Sequence, residues 1–385
     1  MTRLSKAPAR YGVSYQGSKN KIAAEVVYNI PSAPLLIDVF AGGGAITHAA
    51  LLSHRFGSIL ANDYDCGALQ LFYRASHGLI DFEEERKRWV SREDFKRLKD
   101  TDPIVRYHWS FSNGGINYLY SKEIEPYKRA YHFARNCNDR TEWNAIGLDK
   151  VEPTRLSIRD HAEEIKDIYI RWWLKHNCYE GDSEALKLRI SLENLQRLQG
   201  LERLQRLQNL QRLQGLERLQ RLQSLQRLQG LERLVSLECL ERLQSLQSLE
   251  RLQRLQSLTI SKADYKDIFV SEPTTVIYCD PPYINCDPSI YKDAIRESGF
   301  NHAEFYDWCE AQKGLVVLSE YTAPADRFTC VWSKEKRVLA GGAKCQITKV
   351  ERLFVVKGHE DDYWDLMAAH KPSTLFDQDQ RQAMI

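Results

Sequence analysis

A leucine stands at every third position from Leu192 to Leu258, 23 in an unbroken series, and glycines at 200, 215 and 230 add a 15-residue repeat. No ordinary element accommodates this period simply. Three residues turn an α-helix through about 300°, so successive leucines drift around all of its faces. In a flat strand they would alternate between the two faces. A 3₁₀-helix that aligned them would run far beyond the usual three or four residues. A coil that bends after each short facet directs every leucine inward and every Gln, Arg and Glu outward, which favours a compact, solenoid-like array over a single helix. Against it, Leu, Gln, Glu and Arg are all good helix formers. The outward positions carry 11 Arg and 7 Glu, a net positive face that could meet DNA phosphates or act only as a spacer.

The array interrupts a pattern of another kind. Leu35-Leu36-Ile37-Asp38-Val39-Phe40 is an apolar run that ends in Gly42-Gly43-Gly44, as a buried parallel strand does where it turns into a helix. Ser58 to Asn62 reads as a second strand ending at Asp63. Residues 71–190 read as helical and rich in aromatics, with Ile165, Ile168, Trp172 and Trp173 on one face and a similar period from Glu123 to Arg135. The run Glu85-Arg86-Lys87-Arg88 reads as a solvated helical face, followed by a turn capped by Ser91 and Asp94. Beyond 258 the alternation resumes with Thr275–Cys279 as a buried strand, a helix capped by Asn301 and Glu304 and ended by Gly314, then strands at Leu315–Leu318, Phe328–Trp332 and Leu353–Val356. The expectation is an α/β core split by insertions: 1–70 its first half, 71–190 a helical region, 191–258 the array, 259–358 the second half and 359–385 a polar tail.

No stretch of about 18 apolar residues suggests a transmembrane helix. Met1 to Lys6 lacks an apolar segment behind it, so no secretory leader is expected. The nine cysteines form no CxxC pair, which points to neither a metal site nor a disulfide framework and favours a reducing cytoplasm. Net charge is only +2, so nucleic-acid binding would require positive charge gathered on one face.

The chemistry concentrates in Asp280-Pro281-Pro282-Tyr283, directly after an apolar strand. An exocyclic amine on an aromatic ring is a poor nucleophile because its lone pair is delocalised. A carboxylate and a backbone carbonyl that accept both N–H groups can hold the nitrogen nearer to tetrahedral and aim the lone pair at a methyl donor. The prolines remove backbone donors and shape the turn, and the tyrosine offers a face to a base drawn out of its stack. Phe40 to Gly44 is a second signal, since glycines there let the backbone approach a cofactor closely, and Asp63 at the end of the next strand stands where an acid accepts ribose hydroxyls.

Together with Tyr15-Gln16-Gly17-Ser18-Lys19 near the N-terminus, these motifs resemble those of the Dam-type adenine-specific DNA methyltransferases, in which a glycine-rich motif precedes DPPY. Asp264-Tyr265, Leu318 to Tyr321, Glu351 to Phe354 and the segment from Trp109 to Tyr120 are similar to further parts of that group. The resemblance implies a Rossmann-like sheet with S-adenosylmethionine across its carboxyl edge. Tyr15, Gly17 and Lys19 would hold the methionine end, Asp38, Phe40, Gly42 and Gly44 would lie beneath it, Asp63 would take the ribose, and Asp264 and Tyr265 the adenine. A target adenine in double-stranded DNA would stack on Tyr283, its N6 bonded by Asp280 and the Pro281 carbonyl. The family's target-recognition part is normally compact, and the array departs from it, so no recognition sequence carries over. Arg135, Arg140, Lys150 and Arg155 are candidate phosphate contacts, with ordinary surface charge the favoured reading of each. Ser373 to Phe376 loosely resembles a sliding-clamp peptide. Competing readings are methylation of cytosine N4 or of RNA, where Asp at the first position of DPPY favours adenine, and a non-catalytic binding protein with a vestigial pocket.

Overall fold

The structure, a computed structural model, describes residues 11–13, 18–64, 67–177, 257–283, 300–339 and 346–369, with positions 246, 247, 249 and 252. The leucine array up to 245, the C-terminal tail from 370, and Tyr15 and Gly17 lie outside the described residues.

Its contacts divide the chain into two compact units, one of Met1–Phe82, Val90–Leu119 and Arg242–Ile385, the other of Glu83–Trp89 and Tyr120–Glu241. The first is built on a seven-stranded sheet: β1 Ala33–Asp38, β2 Phe56–Asn62, β3 Leu258–Ser261, β4 Thr275–Cys279, β5 Leu315–Glu320, β6 Phe328–Leu339 and β7 Gln346–Val356. Their order across the sheet is β3-β2-β1-β4-β5-β7-β6. The first five are parallel, while β7 runs antiparallel to β5 and β6 antiparallel to β7.

The apolar runs follow from burial on both faces, as expected of parallel strands. In β4, Val276 and Tyr278 join one core and Ile277 and Cys279 the other. The first core takes apolar side chains from α1 Ala23–Tyr28, α2 Ala45–Ser53 and α3 Gly67–Ser76. The chain continues through α4 Phe82–Lys87, α5 Arg92–Leu98 and α6 Pro103–His108. In the second unit come α7 Glu125–Asn136, α8 Thr141–Ala145, α9 Arg155–Asp160 and α10 Ala162–Asn177. Helices α11 His302–Ala311 and α12 Glu360–Ala368 return to the sheet unit. The second core is closed by Phe305, Tyr306 and Cys309 of α11 with Tyr265 and Val270.

Strands β6 and β7 extend well past the apolar stretches that mark them in the sequence. Beyond Trp332 their residues are largely charged, with Lys334 opposite Glu351 and Lys336 opposite Lys349, because this antiparallel pair lies at the sheet's margin, where hydrophobicity no longer signals a strand. The chain also does not divide at 70: Leu71, Phe72, Ala75, Ile80, Phe82, Ile104 and Tyr107 all enter the first core.

The second unit has its own core of Tyr127, Tyr131, Trp143, Ile158, Ile165 and Tyr169. Trp143 Nε1 donates to the Val151 carbonyl at 2.8 Å. Arg140 pairs with Glu152, whereas Arg135, Lys150 and Arg155 are exposed.

Leu246, Leu249, Leu252 and Leu258, the described leucines of the array, are buried in the first core. Deleting residues 195–239, three of the 15-residue units, is therefore expected to leave the sheet unit folded, since the described leucines that enter the core lie beyond the cut. A cooperative melt near the wild-type temperature would bear this out. Loss of the transition would make the array part of the core.

Candidate active site

Strand order reverses between β1 and β4: β2 lies on the far side of one and β5 on the far side of the other. In open parallel sheets the crevice beyond the carboxyl ends at such a point is where ligands bind. The two motifs singled out from the sequence follow these two strands.

After β1, Gly42 and Gly44 have φ of 52° and 70°, values that favour glycine. A Cβ on Gly44 would also come within 2.9 Å of the Phe72 ring. Gly44 sits at the N-terminus of α2, and the turn is clamped from several directions. Val13 N donates to Gly43 O at 2.7 Å and Ala41 N to Asn62 O at 2.8 Å. Gly42 N donates to Asp63 Oδ2 at 2.9 Å. Gly12 N donates to His48 Nδ1 at 2.9 Å, and burial pushes that imidazole down to about 4, so it stays neutral and accepts. The side chain of Asn62 ties three strand ends together. Its Nδ2 donates to Val39 O and Ala263 O, and its Oδ1 accepts from Ser261 Oγ and Ala263 N.

Asp38 closes β1 beneath this turn and is 1% exposed. Its Oδ2 accepts from Thr47 Oγ1 at 2.7 Å, while Oδ1 has no partner among the described residues. Burial, reinforced by the charges of Asp280 and Asp63, pushes the carboxyl up to about 7 against the Thr47 hydrogen bond. A buried carboxylate oxygen without a donor, beside a glycine turn, fits a ligand that brings a donor or positive group. The sign of the resulting pH dependence follows directly. A carboxyl raised from 3.8 to about 7 contributes stability that is complete below about pH 4 and is lost as pH rises through 7. Asp38→Asn is expected to remove this slope, stabilising the ligand-free protein at pH 8 by up to about 4 kcal/mol while weakening ligand binding. An unchanged slope in pH-dependent melts would contradict the assignment.

After β4 comes Asp280-Pro281-Pro282-Tyr283. Lys19 Nζ lies 3.0 Å from Asp280 Oδ1 and 3.0 Å from Glu351 Oε1 of β7. It also bonds the Tyr283 hydroxyl and stands 4.5 Å above that ring. The Tyr283 hydroxyl meets Glu351 Oε1 and lies 3.0 Å from Ser319 Oγ, which donates to the same carboxylate at 3.0 Å. Two carboxylates, Glu351 buried and Asp280 partly exposed, thus share one ammonium. Burial raises Asp280 above the usual carboxylate range, with Lys19 opposing. Glu351, although burial pushes it up, is held below that range by Lys19 and by the Tyr283 and Ser319 hydroxyls. For Lys19 the two carboxylates outweigh desolvation and the ammonium is retained.

The site residues read from the sequence therefore fall into three groups. Lys19, Asp280 and Tyr283 meet in one cluster. Asp38, Gly42, Gly44 and Asp63 surround the glycine turn. Phe40 and Tyr265 pack together at 5.8 Å, with Phe300, Phe305 and Trp308 also around Tyr265. Asp264 caps the short 3₁₀ turn Tyr265–Asp267 by accepting from Lys266 N. Thr47, Asn62, Ser319, Glu351 and His302 were not singled out as site residues from the sequence. The available signal was polar residues inside buried strands, as in Leu315-Val316-Val317-Leu318-Ser319-Glu320. Among the described residues no cluster of three or more His, Cys, Asp or Glu could hold a metal ion.

A mostly parallel sheet with a glycine turn and an Asp-Pro-Pro-Tyr turn following the two strands at its switch point is consistent with a Rossmann-like methyltransferase fold. Residues 15–162 match the family model of the D12 class N6 adenine-specific DNA methyltransferases, and that match supports an adenine-specific DNA methyltransferase. The matched span holds the glycine turn and Asp63 and ends before Asp280. No curated protein matches the chain.

Proposed function

We propose that the chain transfers the methyl group of S-adenosylmethionine to N6 of an adenine drawn out of the stack of double-stranded DNA. The observation that carries this reading is Asp280, held by Lys19 at the carboxyl end of β4, across the switch point from the glycine turn and the unsatisfied oxygen of Asp38. S-adenosylmethionine supplies a methyl group on a sulfonium leaving group, so the protein's task is positioning and charge complementarity. Asp38, Phe40, Gly42, Gly44 and Asp63 line the cofactor's place, with Tyr15, Gly17, Asp264 and Tyr265 completing it. Asp280 Oδ accepts one N6–H and the carbonyl of Pro281, to which no described donor is bonded, accepts the other. Tyr283 supplies the stacking face. The proton that the methylated amine must shed has an acceptor in Asp280, a carboxylate raised by burial. The helical unit and the array would take up target recognition, and the unpaired Cys137, Cys279, Cys309 and Cys330 fit a cytoplasmic enzyme. No described helix is long and apolar enough to cross a membrane.

The test is transfer of labelled methyl from S-adenosylmethionine to unmethylated duplex DNA, followed by nucleoside analysis. N6-methyladenine from the wild type supports the reading. Label in cytosine, label only in RNA, or cofactor binding that never leads to transfer would overturn it.

A further inference from the structure

Prolines at 281 and 282 leave the catalytic turn without backbone N–H groups at two successive positions, so the turn must be held by donors from elsewhere. One is at hand. His302, the first residue of α11, places Nε2 2.9 Å from the carbonyl of Pro282 and Nδ1 3.1 Å from that of Phe300. The helix that carries it is firmly seated: Asn301 Oδ1 caps it by accepting from Glu304 N, and Phe305, Tyr306 and Cys309 are buried in the core. The imidazole itself packs against Phe300 and Tyr306, at ring separations of 5.0 and 6.2 Å. The carboxylate of Glu320, at the end of β5 and fully buried, stands 4.0 Å from Nε2. With a carbonyl before each ring nitrogen, a singly protonated imidazole satisfies one, and a carboxylate on the Nε2 side favours the form that donates there.

We infer that His302 is a positioning residue for methyl transfer: its Nε2–H, oriented by Glu320, holds the Pro282 carbonyl and so sets the turn in which Asp280 and the Pro281 carbonyl receive the target amine. The inference rests on the reading of Asp280–Tyr283 given above. By engaging the Pro282 carbonyl, His302 leaves that of Pro281 as the acceptor facing the substrate. In this role His302 acts through the turn and not on substrate or cofactor itself. Its effect is on the aim of the two acceptors, and a misplacement of about 1 Å at such a position costs up to about 100-fold in rate.

The experiment compares His302→Phe, which keeps the ring packing but removes both nitrogens, with His302→Gln, whose amide can donate again. For His302→Phe the expected result is a fall in kcat of roughly 10–100-fold, with unchanged KM for DNA and unchanged S-adenosylmethionine affinity by calorimetry. His302→Gln should recover most of the loss. Wild-type kcat in His302→Phe, equal loss in both variants, or a parallel loss of cofactor affinity would each overturn the inference. Should His302→Phe fail to fold, Glu320→Gln carries the test, with a smaller fall in kcat alone expected and an unchanged kcat overturning it. Asp280→Ala run alongside separates the two levels. An active wild type, a dead Asp280→Ala and a fully active His302→Phe would sink only the role of His302, whereas a wild type that makes no N6-methyladenine sinks the functional reading itself.

Discussion

Asp280→Ala is expected to lower the rate of methyl transfer by roughly 10²–10³-fold or more, the scale of losing one preorganised polar partner of the reacting group, while S-adenosylmethionine affinity stays within about threefold. The surrounding charges are the reason the two effects should separate. Lys19 is shared by Asp280 and Glu351 at equal distances of 3.0 Å. Removing Asp280 leaves a neutral Lys19–Glu351 pair, still bonded to Tyr283 and Ser319, so no buried charge is orphaned and the protein should fold. Single-turnover kinetics with labelled cofactor, set beside calorimetry, decides the matter. Parallel loss of binding and turnover would show that Asp280 serves the cofactor pocket instead.

The opposite substitution in the same cluster should behave differently. Lys19→Met removes the ammonium between a part-exposed and a buried carboxylate, leaving Asp280 at 20% and Glu351 at 3% side-chain exposure without compensation. Breaking a buried ion pair from one side typically costs about 3–5 kcal/mol. A destabilisation of that order is expected near neutral pH, and it should shrink in acid as the carboxyls protonate. Glu351→Gln, which leaves Lys19 paired with Asp280, should cost far less. Chemical denaturation of the three proteins at two pH values tests the ordering. Equal stability of Lys19→Met and wild type would mean that the cluster is solvated and not a closed charge network.

Much of the sheet was legible because its strands are buried on both faces. Thr275–Cys279 and Leu35–Asp38 are continuous apolar runs for that reason, and each ends in a turn whose residues declare themselves. The caps at Ser91 and Asn301 are equally local, and both side chains accept the backbone N–H expected of them. The margin of the sheet was not legible in the same way: β6 and β7 beyond the apolar stretches carry many charges and, Arg352 apart, pair with each other. Glu351 shows the limit most clearly. A lone acid in Lys349-Val350-Glu351-Arg352-Leu353 reads as solvent-facing, yet it is 2% exposed and pairs with a lysine 332 positions away. Tyr265 was read as a wall for the cofactor's adenine, and its ring is packed among Phe40, Phe300, Phe305 and Trp308, a setting its immediate neighbours do not reveal.

The sequence by itself determined the elements and their chemistry: which runs are strands, where glycines must stand, and that a carboxylate, two prolines and a tyrosine follow β4. These are local properties, set by burial period, backbone freedom and the hydrogen-bonding capacity of each residue type. Only the tertiary structure decided which groups meet. The order β3-β2-β1-β4-β5-β7-β6 brings Lys19, Asp280, Ser319 and Glu351 together and seats His302 against the Pro282 carbonyl. Charge and hydrogen-bond partners are chosen by strand order and burial, and neither is written in the spacing of residues along the chain.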